Sequence, residues 1–103
     1  YKGNEETVGY LYYRLANIQN ELKEHLQAMT SCKKAIEIRC KFLHIANEGI
    51  TNDEELALYY SAYALMLQDY YPNMSNSDVI KYWKKSAQCG GETAKEYLKD
   101  LGY

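Results

Sequence analysis

The sequence predicts an all-α fold of about five helices, joined by short turns and arranged as antiparallel hairpins. Three observations carry this expectation. Apolar residues recur at intervals of three and four along most of the chain, the period of a helix with one apolar face. Glycine and proline fall mainly between these periodic segments, where they act as stops. No stretch shows the alternation of apolar and polar residues that marks a strand.

The first helix is expected from Glu5 to about Glu21. Asn4 suits the capping position, and Glu5 and Glu6 suit the positive end of the helix dipole. Its periodic residues are Val8, Leu11, Tyr12, Leu15, Ile18 and Leu22, and Gly9 weakens it locally. Lys23 and Glu24 form the turn. The second helix is expected from His25 to about Glu48. It carries Leu26, Met29, Cys32, Ala35, Ile36, Leu43 and Ala46 on its apolar face, with Gly49 as its stop. Such a helix is long for a globular domain, so its last turns project and offer a contact for a second copy of the chain.

Thr51-Asn52-Asp53-Glu54-Glu55 supplies a capping oxygen and first-turn acids for the third helix. That helix runs to about Tyr70 on Leu56, Tyr59, Tyr60, Tyr63, Ala64, Leu67 and Tyr71. Pro72 ends it, because proline has no backbone donor and disfavours helix in the residue before it. After a polar loop over 73–76, Ser77 caps a fourth helix from Asp78 to Cys89, which stops at Gly90-Gly91. The fifth runs from Glu92 to about Leu101, with Gly102 beyond it. The expected organisation is a single domain over 1–103: a hairpin over 5–49, a second over 52–90 and a terminal helix over 92–101. Because the first residue is Tyr1, the chain is read as a candidate fragment of a longer protein.

Composition narrows the function. With 47% hydrophobic residues the chain can build a core, yet no apolar run approaches the roughly 20 residues of a membrane span. Membrane insertion is therefore not expected. The net charge of −2 argues against broad capture of nucleic acid. Lys81, Lys84 and Lys85 read as a solvated helix face. Cys32, Cys40 and Cys89 cannot all pair and match no zinc spacing, so they read as reduced, partly buried thiols. The expected location is cytoplasmic.

No catalytic constellation is visible. His25 and His44 are the only histidines, and on one continuous helix they would stand roughly 28 Å apart. No serine sits in a nucleophile elbow, no glycine loop cradles phosphate, and calcium-loop spacing is absent. The expectation is a protein that is not an enzyme, with no catalytic, cofactor or metal residues.

Spacing in the two hairpins carries a resemblance. Tyr12, Leu15 and Ala16, followed by Ala28 and Ala35, resemble a tetratricopeptide repeat, in which small residues let two helices approach closely. Gln19, Cys32 and Cys40 depart from that pattern. In the second hairpin, Tyr60, Tyr63 and Ala64 repeat the first-helix spacing. The stretch from Val79 to Gly90 is similar to the second helix of the Sel-one-like subfamily, through Tyr82-Trp83, Lys85-Ser86-Ala87 and Gly90. Ala94 and Leu98 sit where a further repeat opens, and Lys99 replaces its usual glycine. The resemblance implies a short right-handed solenoid of stacked hairpins that acts as a protein-interaction scaffold.

In that family the first helices of successive repeats line a concave surface that holds a peptide or helix of a partner. The implied site residues here are Tyr10, Tyr13, Asn17, Asn20 and Glu21, then Leu58, Ser61, Leu65, Gln68 and Asp69, then Thr93, Glu96 and Asp100. Asn17 matches an asparagine of family members that clamp a C-terminal carboxylate, but Tyr13, Leu58 and Ser61 stand where basic residues are needed. The expected ligand is a neutral or basic, partly apolar protein segment. A second expectation is a regulatory or dimerisation domain of a larger signalling or enzymatic protein, with a homodimer covering an open end of the array.

Overall fold

Five helices make up the described chain, which comprises residues 5–70 and 77–103 of the computed structural model. They are α1 (Glu5–Glu21), α2 (His25–Phe42), α3 (Glu54–Tyr70), α4 (Ser77–Gln88) and α5 (Glu92–Asp100). No strand occurs among the described residues. The expected cap at Asn4, the stripe residue Tyr71, the Pro72 stop and the 73–76 loop lie outside them.

Each helix packs on the next in sequence, and α1 also touches α3. The result is a slab of 44 × 31 × 19 Å. Ala16, Ala28 and Ala35 are fully buried, and their small side chains let α1 and α2 approach closely. Gly9 is buried beside Ile38 in the same seam. Cys32, Ile36 and Cys40 of α2 join Leu56, Tyr59 and Tyr60 of α3 in the core between the hairpins. The Cys32 thiol donates to the Tyr59 carbonyl at 3.4 Å.

The long second helix is corrected. It stops at Phe42, six residues before the expected end. The stop is a Schellman turn: Ile45 N–H bonds the Cys40 carbonyl at 3.0 Å and His44 N–H bonds the Lys41 carbonyl at 3.1 Å. His44 takes the left-handed conformation, at φ 59°, that glycine fills in most such turns. The same pair of bonds closes α1 around Lys23, α4 around Gly90 and α5 around Gly102. With α2 ended, no projecting turns remain to serve as the expected dimer contact.

The segment after α2 folds back instead and is held from three helices. Lys33 of α2 pairs with the Glu48 carboxylate at 2.5 Å, and Tyr82 of α4 donates to the same carboxylate at 2.7 Å. Lys85 of α4 donates to the Glu48 carbonyl at 2.6 Å, and Tyr60 of α3 to the Gly49 carbonyl at 2.7 Å. Burial favours the neutral form of Glu48, but the Lys33 and Tyr82 hydrogen bonds hold its carboxyl below the usual range. Lys85 is therefore a structural cation, whereas Lys81 and Lys84 lie on the exposed face of α4.

The periodic residues of α1 have an unexpected place. Tyr12 packs against the core, but Val8, Leu11, Leu15, Ile18 and Leu22 remain substantially exposed, and the buried residues of α1 are Gly9 and Ala16.

Candidate functional site

A concave groove of about 560 Å³ opens between α1, α3 and the α4–α5 turn. Helical spacing explains who lines it. Tyr13, Asn17 and Asn20 follow one another by four and three along one face of α1. Leu58, Ser61, Leu65 and Asp69 do the same on α3, with Ala57, Ala62 and Met66 beside them. The far wall is Trp83, Ser86, Gly90 and Gly91, and the rim is closed by Glu54, Glu92 and Thr93.

The far wall depends on glycine. A Cβ on Gly91 would stand 2.6 Å from Ser86 Oγ and 3.3 Å from Ala57 Cβ. Gly91 thus lets the α4–α5 turn sit against α3. Behind it, Ser86 Oγ donates to the Ala57 carbonyl at 2.7 Å. That bond uses the only Ser86 hydroxyl proton, so Ser61 Oγ donates to Ser86 Oγ at 2.6 Å. The α1 side is also fixed: the Tyr13 ring stacks on Tyr59 with centroids 5.0 Å apart. At one end, Asn20 Nδ2 donates to Asp69 at 3.2 Å, and Asn20 Oδ1 lies 2.9 Å from His25 Nδ1. His25 is thereby half-buried beside the groove's edge.

The floor is mainly aliphatic and aromatic. Among the described residues the lining contains three carboxylates, from Glu54, Asp69 and Glu92, and no Lys, Arg or His. The charge on this surface is therefore of one sign. Trp83 is 3% exposed and stacks on Tyr97 at 4.5 Å, and its buried Nε1 has no hydrogen-bond acceptor among the described residues.

Eight of the thirteen residues expected to form a site come together here: Tyr13, Asn17, Asn20, Leu58, Ser61, Leu65, Asp69 and Thr93. Five do not line the groove. Tyr10 accepts a bond from Arg14 at 3.3 Å, and Glu21 is exposed at the end of α1. Gln68 accepts from Tyr97 at 3.3 Å, and Glu96 and Asp100 are exposed further along α5. Only the first turn of α5 reaches the groove, because the nine-residue helix starts at its rim and leads away. Sequence reasoning missed Trp83 and Ser86, although their spacing of three puts them on one side of α4, and Gly90 in the turn beyond it. Trp83 both packs in the core and lines the groove.

Among the described residues, no three His, Cys, Asp or Glu side chains are placed to hold a metal ion. No helix among them is long and apolar enough to cross a membrane. No family model, no curated protein and no solved structure matches the chain.

Proposed function

We propose that the chain is a short helical-repeat domain of the tetratricopeptide and Sel-one-like kind. Its role is to hold an apolar, basic segment of another protein in the groove, as a binding module without catalytic chemistry of its own. The observation that carries the reading is the groove itself: a concavity with an apolar floor and, among the described residues, carboxylates as its charged lining groups. Apolar side chains of a bound segment would fill the floor over Leu58, Leu65 and Met66, and a Lys or Arg would meet Asp69, Glu54 or Glu92. Asn17 makes no hydrogen bond to any described residue, which leaves its amide for a peptide backbone. The order of packing, with two hairpins in succession and α5 following, supports the repeat reading.

The test is fluorescence anisotropy with labelled apolar peptides that carry lysine, glutamine or glutamate at one position. The lysine peptide should bind tightest and lose affinity with added salt. Leu58→Lys, at an exposed floor position, should weaken it by about tenfold or more, and Asn17→Ala with Tyr13→Ala should weaken it too. Equal binding of all three peptides, or binding indifferent to these substitutions, would overturn the assignment.

A further inference from the structure

The most regular apolar pattern in the chain is left uncovered by the fold. Val8, Leu11, Leu15 and Ile18 are spaced three, four and three along α1, Leu22 follows four residues on at its C-terminal cap, and Leu26 is exposed just past the turn. These six side chains are 40–65% exposed. At about 100° per residue, Val8, Leu11, Leu15 and Ile18 with the capping Leu22 occupy one narrow arc, roughly opposite the groove face of Tyr13, Asn17 and Asn20. Together they form a larger aliphatic patch than scattered surface leucines would give.

We propose that this face is a self-association surface, on which α1 of a second copy packs antiparallel. The spacing is that of the a and d positions of two heptads, which interlock with a like helix. With the two-fold axis between Leu15 and Ile18, Leu15 meets Ile18 of the second copy and Leu11 meets its Leu22. The same register decides the flanking charges. Arg14 and Glu21 are seven residues apart, both exposed and both on one side of the stripe. The antiparallel arrangement sets Arg14 beside Glu21 of the second copy, and the symmetry makes that pair twice. A parallel arrangement sets Arg14 beside Gln19 instead and leaves both charges without a partner. Among the described residues Arg14 meets Tyr10 alone, through a 3.3 Å bond to its hydroxyl and a guanidinium 5.8 Å from its ring centroid, so it can turn toward the interface. The charge match selects a second copy of this chain over an unrelated apolar helix. This surface is independent of the groove and stands whether or not the groove holds a peptide.

Sedimentation velocity on the 103-residue chain tests the proposal. A contact of two heptads should give a dimer with a Kd on the order of 10 μM. Leu15→Glu, at an exposed position, should leave helicity intact and give a monomer. Arg14→Glu alone and Glu21→Arg alone each place like charges together twice, and each should weaken the dimer about tenfold. An equimolar mixture of those two variants restores both pairs in the mixed dimer and should recover the wild-type affinity. A wild-type chain that stays monomeric up to about 1 mM would overturn the proposal. So would a dimer unaffected by Leu15→Glu. Failure of the mixture to recover would overturn the antiparallel register. Peptide binding in the groove should be the same in Leu15→Glu and wild type, which separates the two surfaces.

Discussion

Arg39 holds Asp53 through two parallel hydrogen bonds of 2.8 Å, from Nε and Nη2, and the same carboxylate accepts the Leu56 amide at 2.9 Å. One acid therefore caps α3 and fastens it to α2. The planar guanidinium is the side chain suited to this fork geometry. The pair is largely buried, with side-chain exposures of 8% and 14%.

Removing Arg39 should be costly, because it leaves a carboxylate with little water around it. Arg39→Met is expected to lose about 3 kcal/mol of stability at pH 7, read by urea unfolding. The hydrogen bonds from Arg39 hold the Asp53 carboxyl below its ordinary value of 3.8. A depressed carboxylate stabilises the fold fully above the ordinary value and loses that contribution as pH falls through the depressed one. The gap between wild type and Arg39→Met should thus stay constant from about pH 7 to 5 and narrow below about pH 4.

The left-handed residue that ends α2 predicts a gain. His44 is exposed and sits at φ 59°, where a side chain is strained against its own backbone. His44→Gly should raise stability by about 1 kcal/mol, and His44→Val should lower it. Urea midpoints at constant m-value would show the order.

The three thiols should be inert in the folded protein. Cys32, Cys40 and Cys89 are at most 1% exposed, and burial pushes the Cys32 thiol up to about 12. A thiol-reactive chromogen at pH 8 is expected to label none of them on the timescale of free cysteine, and all three in denaturant. Prompt labelling of Cys32 in the native state would contradict its placement in the core.

Trp83 should matter for its volume more than for its indole nitrogen. Trp83→Ala removes a buried ring stacked on Tyr97 and is expected to cost roughly 3–5 kcal/mol. Trp83→Phe keeps an aromatic ring and removes a buried donor with no acceptor, so it should cost well under half as much. Thermal unfolding of the two variants would separate these effects.

Helix starts were easier to read from the sequence than helix ends. Glu5, His25 and Glu92 begin their helices where the sequence places them, α4 begins one residue early at Ser77, and within the expected start at 51–55 it is Asp53 that caps α3. The end of α2 was hidden because the turn geometry is a backbone property, and His44 fills it without the glycine that announces it at Gly90. The stripe on α1 shows the other limit. Periodicity fixes that a segment is helical and which residues share a face, but not what covers that face. The groove was legible along α1 and α3, where spacing alone selects the residues. Its far wall was legible only in part, because spacing puts Trp83 and Ser86 on one side of α4 but does not record that the α4–α5 turn packs across to α3.

The grip on Glu48 and Gly49 has a mechanical consequence. It draws on Lys33, Tyr60, Tyr82 and Lys85, and Tyr60 lies on the side of α3 facing away from Ser61 and Leu65. This clasp braces the back of the slab, and α3 is the fulcrum between it and the groove. The gape in front is thereby preset by side chains that no ligand there would touch. If the groove holds a segment as proposed, this brace behind α3 would reduce the binding energy spent on shaping the trough.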